Sequence, residues 1–171
     1  MTELIFLAAS EEDTDRLGAA LAGALPDGAV VALCGTLGAG KTRLIQAVAA
    51  ACGIAREEVV SPTFLLCQQY RGRRTINHFD VYRLRDEEEF WQLGPDEYFA
   101  SQALTFIEWG DRVIDGLPAE RVEVRIAIQG DERREFRVSA AGAGLAFFLQ
   151  ALQALLGSAA SDRRDAQSLS Q

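Results

Sequence analysis

The chain has 171 residues, about half of them hydrophobic, and a formal charge of −8 from 17 Lys and Arg against 25 Asp and Glu. That length suits one domain with a real core. No stretch approaches the roughly 18 apolar residues of a membrane span, and Met1-Thr2-Glu3-Leu4 lacks the basic start of a signal peptide, so a cytoplasmic protein is expected. An acidic surface is a poor match for phosphate backbones, so any nucleic-acid role would run through a partner. Cys34, Cys52 and Cys67 are odd in number and too widely spaced for a Cys-x-x-Cys pair, which argues against a disulfide scaffold or a zinc site.

Residues 2–8 predict a strand, and Ser10-Glu11-Glu12-Asp13 opens a helix with a capping-box pattern whose buried stripe is Leu17, Leu21 and Leu25. Residues 29–34 are an unbroken apolar run, as expected of a strand buried on both faces. Next comes Gly35-Thr36-Leu37-Gly38-Ala39-Gly40-Lys41-Thr42, which matches the phosphate-binding pattern G-x-x-x-x-G-K-[ST] without a gap. Leu44, Ile45 and Val48 then repeat at helical spacing up to Gly53. Strand, glycine loop and helix follow in the order that the motif demands.

The chemistry follows from that order. Glycines let the backbone curl around a phosphate chain with its N–H groups inward, where the helix dipole adds positive potential. Lys41 is the only lysine, all sixteen other basic side chains being arginine. Its compact ammonium suits β and γ phosphate oxygens, and the Thr42 hydroxyl is placed for a magnesium ion bridging them. The ligand read from these residues is a nucleoside triphosphate with Mg²⁺.

Ser61-Pro62-Thr63 predicts a turn whose hydroxyls could face the nucleotide. Residues 64–70 and 75–79 predict two strands joined by Arg71-Gly72-Arg73-Arg74. The second strand delivers Asp80, which could orient or activate a water, touch the metal through one, or cap the charged helix that begins near Asp86. His78, the sole histidine, is expected to make a structural hydrogen bond rather than transfer protons. The apolar run 104–107 ends in Glu108 and Trp109, the layout of a Walker B strand with Glu108 as metal-side carboxylate. Trp109 is expected to pack rather than stack on a base.

Val122, Val124, Ile126 and Ile128 alternate with charges, so they predict a strand with one solvated face, and residues 134–140 return as its hairpin partner. Leu145, Phe148, Leu149, Leu152, Leu155 and Leu156 are the stripe of a last helix that Gly157 is expected to end. The sequence thus predicts an α/β, P-loop NTPase-like three-layer domain over residues 1–157, with a mixed, mostly buried sheet flanked by helices. A polar, disordered tail is expected over residues 158–171.

Guanine readers of the Ras type carry Asn-Lys-x-Asp, which this chain lacks, so ATP is the expected nucleotide. A small-molecule kinase with Arg71, Arg73 and Arg74 on a mobile lid is the alternative that the residues leave open. The strings at 35–42, Ser61-Pro62-Thr63-Phe64, His78-Phe79-Asp80-Val81-Tyr82-Arg83-Leu84 and Glu108-Trp109 together resemble the TsaE family, formerly YjeE, over about residues 1–157. The resemblance implies a small ATPase of tRNA threonylcarbamoyladenosine biosynthesis that binds the TsaB–TsaD pair and cycles it by ATP binding and hydrolysis, meeting tRNA only through that pair. It implies Lys41 and Thr42 as phosphate and magnesium ligands, Glu108 as metal ligand, Asp80 as the residue needed for hydrolysis, and Thr14 and Arg134 near the nucleotide. Two positions depart from the family: Thr36 stands where aspartate is usual, which puts the hydrolytic step rather than binding in question. Arg43 stands where a second threonine is usual, and it is expected to point outward from the helix start. A nucleotide-gated binding module with little hydrolysis is therefore the second alternative.

Overall fold

The computed structural model describes residues 3–62 and 66–168. The Thr63 hydroxyl and the expected strand start at residue 64 lie outside them, as do residue 2 and residues 169–171. Seven strands form one mixed sheet in the order β1-β7-β6-β2-β5-β4-β3. They are β1 (Glu3–Ala8), β2 (Val30–Cys34), β3 (Cys67–Arg71), β4 (Thr75–Asp80), β5 (Leu104–Glu108), β6 (Arg121–Ile128) and β7 (Arg134–Ala141). The central β6, β2, β5 and β4 run parallel, and β7, β1 and β3 run antiparallel to their neighbours.

Helices α1 (Glu11–Ala24), α2 (Lys41–Ala51) and α5 (Phe148–Ser168) cover one face, where Leu17, Leu21, Leu44, Val48, Phe106 and Leu152 are buried together. The shorter α3 (Glu87–Trp91) and α4 (Pro95–Phe99), with a 3-10 segment Gly110–Gly116, cover the β2–β5–β4 part of the other face around Phe79, Phe90 and Ile107. Exposed Ile5, Leu7, Arg125 and Arg137 leave the outer face of the β1–β7–β6 wing to solvent, so the third layer is partial. No helix among the described residues is long and apolar enough to cross a membrane.

The helix starts obey their local chemistry. Ser10 Oγ accepts from Asp13 N (3.4 Å) while the Asp13 carboxylate accepts from Ala9 N (3.0 Å), a reciprocal cap on α1. Asp86 caps α3 by accepting from Glu89 N (3.0 Å), so that duty does not fall to Asp80. Where α1 crosses α2, a Cβ on Gly18 would lie 2.4 Å from Ala47 Cβ. Gly157 does not end the last helix, which runs on to Ser168; a single glycine costs only about 1 kcal/mol relative to alanine and the alanines after it favour continuation.

One topological fact places the site. The parallel strands β2, β5 and β4 end at one edge, in a register that sets Leu33 and Asp80 on either side of Glu108. The β3–β4 turn with its three arginines lies at the opposite end. There Arg74 donates to Ala22 O (2.8 Å), Leu25 O (2.9 Å) and Asp27, and Arg73 donates to Ala51 O, which satisfies carbonyls at the C-termini of α1 and α2.

Candidate phosphate-loop site

The loop between β2 and α2 curls because Gly38 (φ 76°) and Gly40 (φ 104°) take left-handed backbone conformations that favour glycine. Lys41, the first residue of α2, is only 4% exposed. Its ammonium donates to Gly35 O (2.7 Å) and Thr36 O (3.0 Å), and sits 3.5 Å from the centroid of the Trp109 ring. Burial pushes the Lys41 pKa below the usual lysine value, against the pull of Glu108, Asp80 and Asp111.

Thr42 Oγ1 donates to Glu108 Oε1 (2.6 Å), and His78 Nε2 lies 2.8 Å from that same oxygen. Asp80 is held at both oxygens: Oδ2 accepts from Ser61 Oγ (2.5 Å) and Oδ1 from Tyr82 N (3.0 Å). Lys41, Thr42, Ser61, Asp80 and Glu108 all line one cleft of about 440 Å³, which Leu37, Tyr82 and Trp109 rim. A hydroxyl and a carboxylate in contact at a helix start, beside a second carboxylate, are the hard oxygen donors that suit Mg²⁺. Glycine amides with a buried ammonium suit a polyphosphate.

A second pocket of about 310 Å³ on the other side of Gly38 and Gly40 brings together Thr14, Ala39 and Arg134. Arg134 Nε donates to Ala39 O (3.0 Å), which ties the late hairpin to the glycine loop. The two residues that the family resemblance implies near the nucleotide therefore flank the loop, although they lie 120 positions apart in the sequence. Thr36 is exposed and contributes its carbonyl to Lys41.

Two readings change. Arg43 does not point freely outward: its guanidinium pairs with Asp15 (2.7 Å) and Glu11 (3.4 Å) on α1, and Arg56 completes the pair with Asp15 (2.7 Å). Trp109 packs: its ring covers Lys41 and lies 4.8 Å from the Tyr82 ring. Its own backbone is left-handed (φ 63°), and the chain then passes so close over β2 that a Cβ on Gly110 would lie 2.7 Å from Ala32 Cβ. Arg71, Arg73 and Arg74 line a different pocket, with Asp27 and Gln102, at the far end of the sheet, so they form no lid over the cleft. Sequence reading missed the Tyr82 partnership with Trp109 and the Asp15 clamp on Arg43. The aromatic in the His-Phe-Asp-Val-Tyr string was the available signal for Tyr82.

A buried parallel strand, a glycine loop that feeds Lys41 and Thr42 into a helix, and an adjacent strand-end carboxylate define a P-loop protein. The family model described as "Threonylcarbamoyl adenosine biosynthesis protein TsaE" matches residues 8–136. The chain is 41% identical over 130 residues to the tRNA threonylcarbamoyladenosine biosynthesis protein TsaE of Treponema pallidum, covering 76% of this chain and 96% of the relative. It is 38% identical over 143 residues to the TsaE of Bacillus subtilis, covering 83% and 89%. The crystal structure of YdiB from Bacillus subtilis superposes with a TM-score of 0.73 at 29% identity, covering 96% of this chain and 98% of that one. The chain belongs to the TsaE family.

Proposed function

We propose that the chain is a Mg²⁺-dependent cytoplasmic ATPase that serves tRNA threonylcarbamoyladenosine formation by binding and cycling the TsaB–TsaD complex, with tRNA met only through that complex. The observation that carries this reading is the convergence of Lys41, the Thr42–Glu108 contact and Asp80 in one cleft. Family membership supplies the pathway.

Each residue has a task that its geometry supports. The loop amides of residues 35–42 and the Lys41 ammonium hold the phosphate chain, while Thr14 and Arg134 bound the neighbouring pocket where the rest of the nucleotide lies. Thr42 and Glu108 hold the magnesium ion, which when bound neutralises charge on the phosphate oxygens. Asp80, aimed by Ser61 and by the Tyr82 amide, orients the attacking water and accepts its proton. Arg71, Arg73 and Arg74, the arginines that a kinase-type lid would draw on, line a pocket at the far end of the sheet, where Arg73 and Arg74 donate to carbonyls at helix ends.

Phosphate release measured with and without TsaB–TsaD tests the reading. A slow rate alone that rises with the pair, and that disappears in Asp80→Ala, is expected. A rate that never exceeds the intrinsic one while the complex still forms would make the chain a nucleotide-gated binding module instead.

A further inference from the structure

His78 is fully buried on β4, on the α2-facing side of the sheet, and its Nε2 lies 2.8 Å from Glu108 Oε1. Among the described residues its Nδ1 is buried without a hydrogen-bond partner. A carboxylate at this contact only accepts, which requires the ring proton on Nε2, donated to Glu108 Oε1. The contact is diagonal: the register partner of His78 is Phe106, and that of Glu108 is Asp80. Two carboxylates directly opposed on neighbouring strands repel each other. An unrestrained Glu108 would therefore turn away from Asp80 into whichever rotamer its surroundings allow.

The two donors on Glu108 meet at one oxygen, Oε1: Thr42 Oγ1 from the helix side and His78 Nε2 from within the sheet. The second carboxylate oxygen is drawn into neither bond. With Nδ1 unpartnered, no competing hydrogen bond turns the ring, so its orientation is devoted to the carboxylate. We propose that His78 is the positioning residue of Glu108, whose Nε2–H holds the carboxylate against Thr42 in the arrangement that a hard divalent cation requires. Outer partners of this kind are worth roughly 10- to 100-fold in metal affinity. The inference rests on the magnesium-dependent reading above.

Because the chain has one histidine, a ¹⁵N-histidine spectrum of the unmodified protein reports this ring alone. The expected result is the Nε2–H tautomer, with signals that shift when Mg²⁺ and ATP are added together and stay in place with ATP in EDTA. The Nδ1–H tautomer, or signals indifferent to Mg²⁺–ATP, would overturn the proposal without any variant having to fold. Calorimetry of ATP binding against Mg²⁺ concentration then compares His78→Gln, whose amide N–H can take the Nε2 place, with His78→Asn, whose amide reaches only the Nδ1 place. Gln is expected within about threefold of the wild-type Mg²⁺ requirement and Asn to raise it about tenfold or more, with ATP affinity in EDTA equal in all three. Equal Mg²⁺ requirements in Gln and Asn contradict a positioning role. A wild-type protein whose ATP binding ignores Mg²⁺ contradicts the ATPase reading itself, a separate failure visible before any variant is made.

Discussion

Asp80 and Glu108 are a register pair across β4 and β5 at the edge where the glycine loop begins, and each is pinned by different partners. Ser61 and the Tyr82 amide hold Asp80, whereas Thr42 and His78 hold Glu108. Separate restraints on adjacent carboxylates allow the separate tasks proposed for them, one on the water and one on the metal.

That division predicts unlike losses. Lys41→Ala should lower ATP affinity roughly 10- to 100-fold, since hydrogen bonds to charged groups contribute about 1.5–3 kcal/mol. Asp80→Ala should leave affinity nearly unchanged while hydrolysis falls about 10²- to 10⁴-fold, the usual worth of a positioned base. Calorimetry and phosphate release read the two quantities; parallel loss of binding in both variants would contradict the roles.

Ser61→Ala removes one of the two donors that aim Asp80. Hydrolysis should drop about fivefold, the equivalent of a lost hydrogen bond of about 1 kcal/mol, with KM unchanged. Ser61→Thr, which keeps the hydroxyl, should recover most of the kcat. A change confined to KM would place Ser61 on the nucleotide instead of on Asp80.

Gly18→Ala should destabilise the fold by about 1–3 kcal/mol, because the new methyl would press into the backbone and Cβ of Ala47 where α1 crosses α2. A thermal melt should show a fall of several degrees, and Ala47→Gly in the same chain should restore part of it. An unchanged Tm would mean that the two helices part without cost.

The α1–α2 clamp gives a pH signature. Burial raises the Asp15 pKa, but hydrogen bonds from Arg56 and Arg43 outweigh it and hold the folded-state value below 3.8. A carboxyl lowered on folding stabilises fully above its unfolded pKa, and that stability is lost as pH falls through the folded value. Asp15→Asn should therefore cost about 0.5–1 kcal/mol at pH 7, the scale of a part-exposed ion pair, and nothing once pH lies below the folded value. Denaturant melts at the two pH values check it; an equal cost at both would assign the effect to packing.

Legibility in the sequence tracked the range of the interaction. The glycine loop and Glu108 at the end of its apolar run were readable because a strand, a turn and a helix start are each specified within a few residues, whereas Asp80 stands at a strand end with its task left open until the family resemblance supplies one. Ser61 on Asp80, Tyr82 on Trp109 and Asp15 on Arg43 join separate elements, and periodicity carries no information about which distant side chains a sheet brings together. The arginines of 71–74 look mobile in a string of basic residues, yet Arg74 is claimed by a helix end some fifty positions earlier and Arg73 by one 22 positions earlier. Gly157 misled for a different reason: glycine weakens a helix without being obliged to end it.

The crowding of Gly110 on Ala32 extends the cleft into the middle of the sheet. Ala32 is wholly buried and carries no polar atom, yet the segment it supports begins with the left-handed Trp109 and its indole over Lys41. Enlarging residue 32 would lift that segment and slide the aromatic cover off the ammonium. Bulk added at an inert interior position would thus surface as an altered grip on phosphate, so variation at residue 32 belongs with variation in the loop itself.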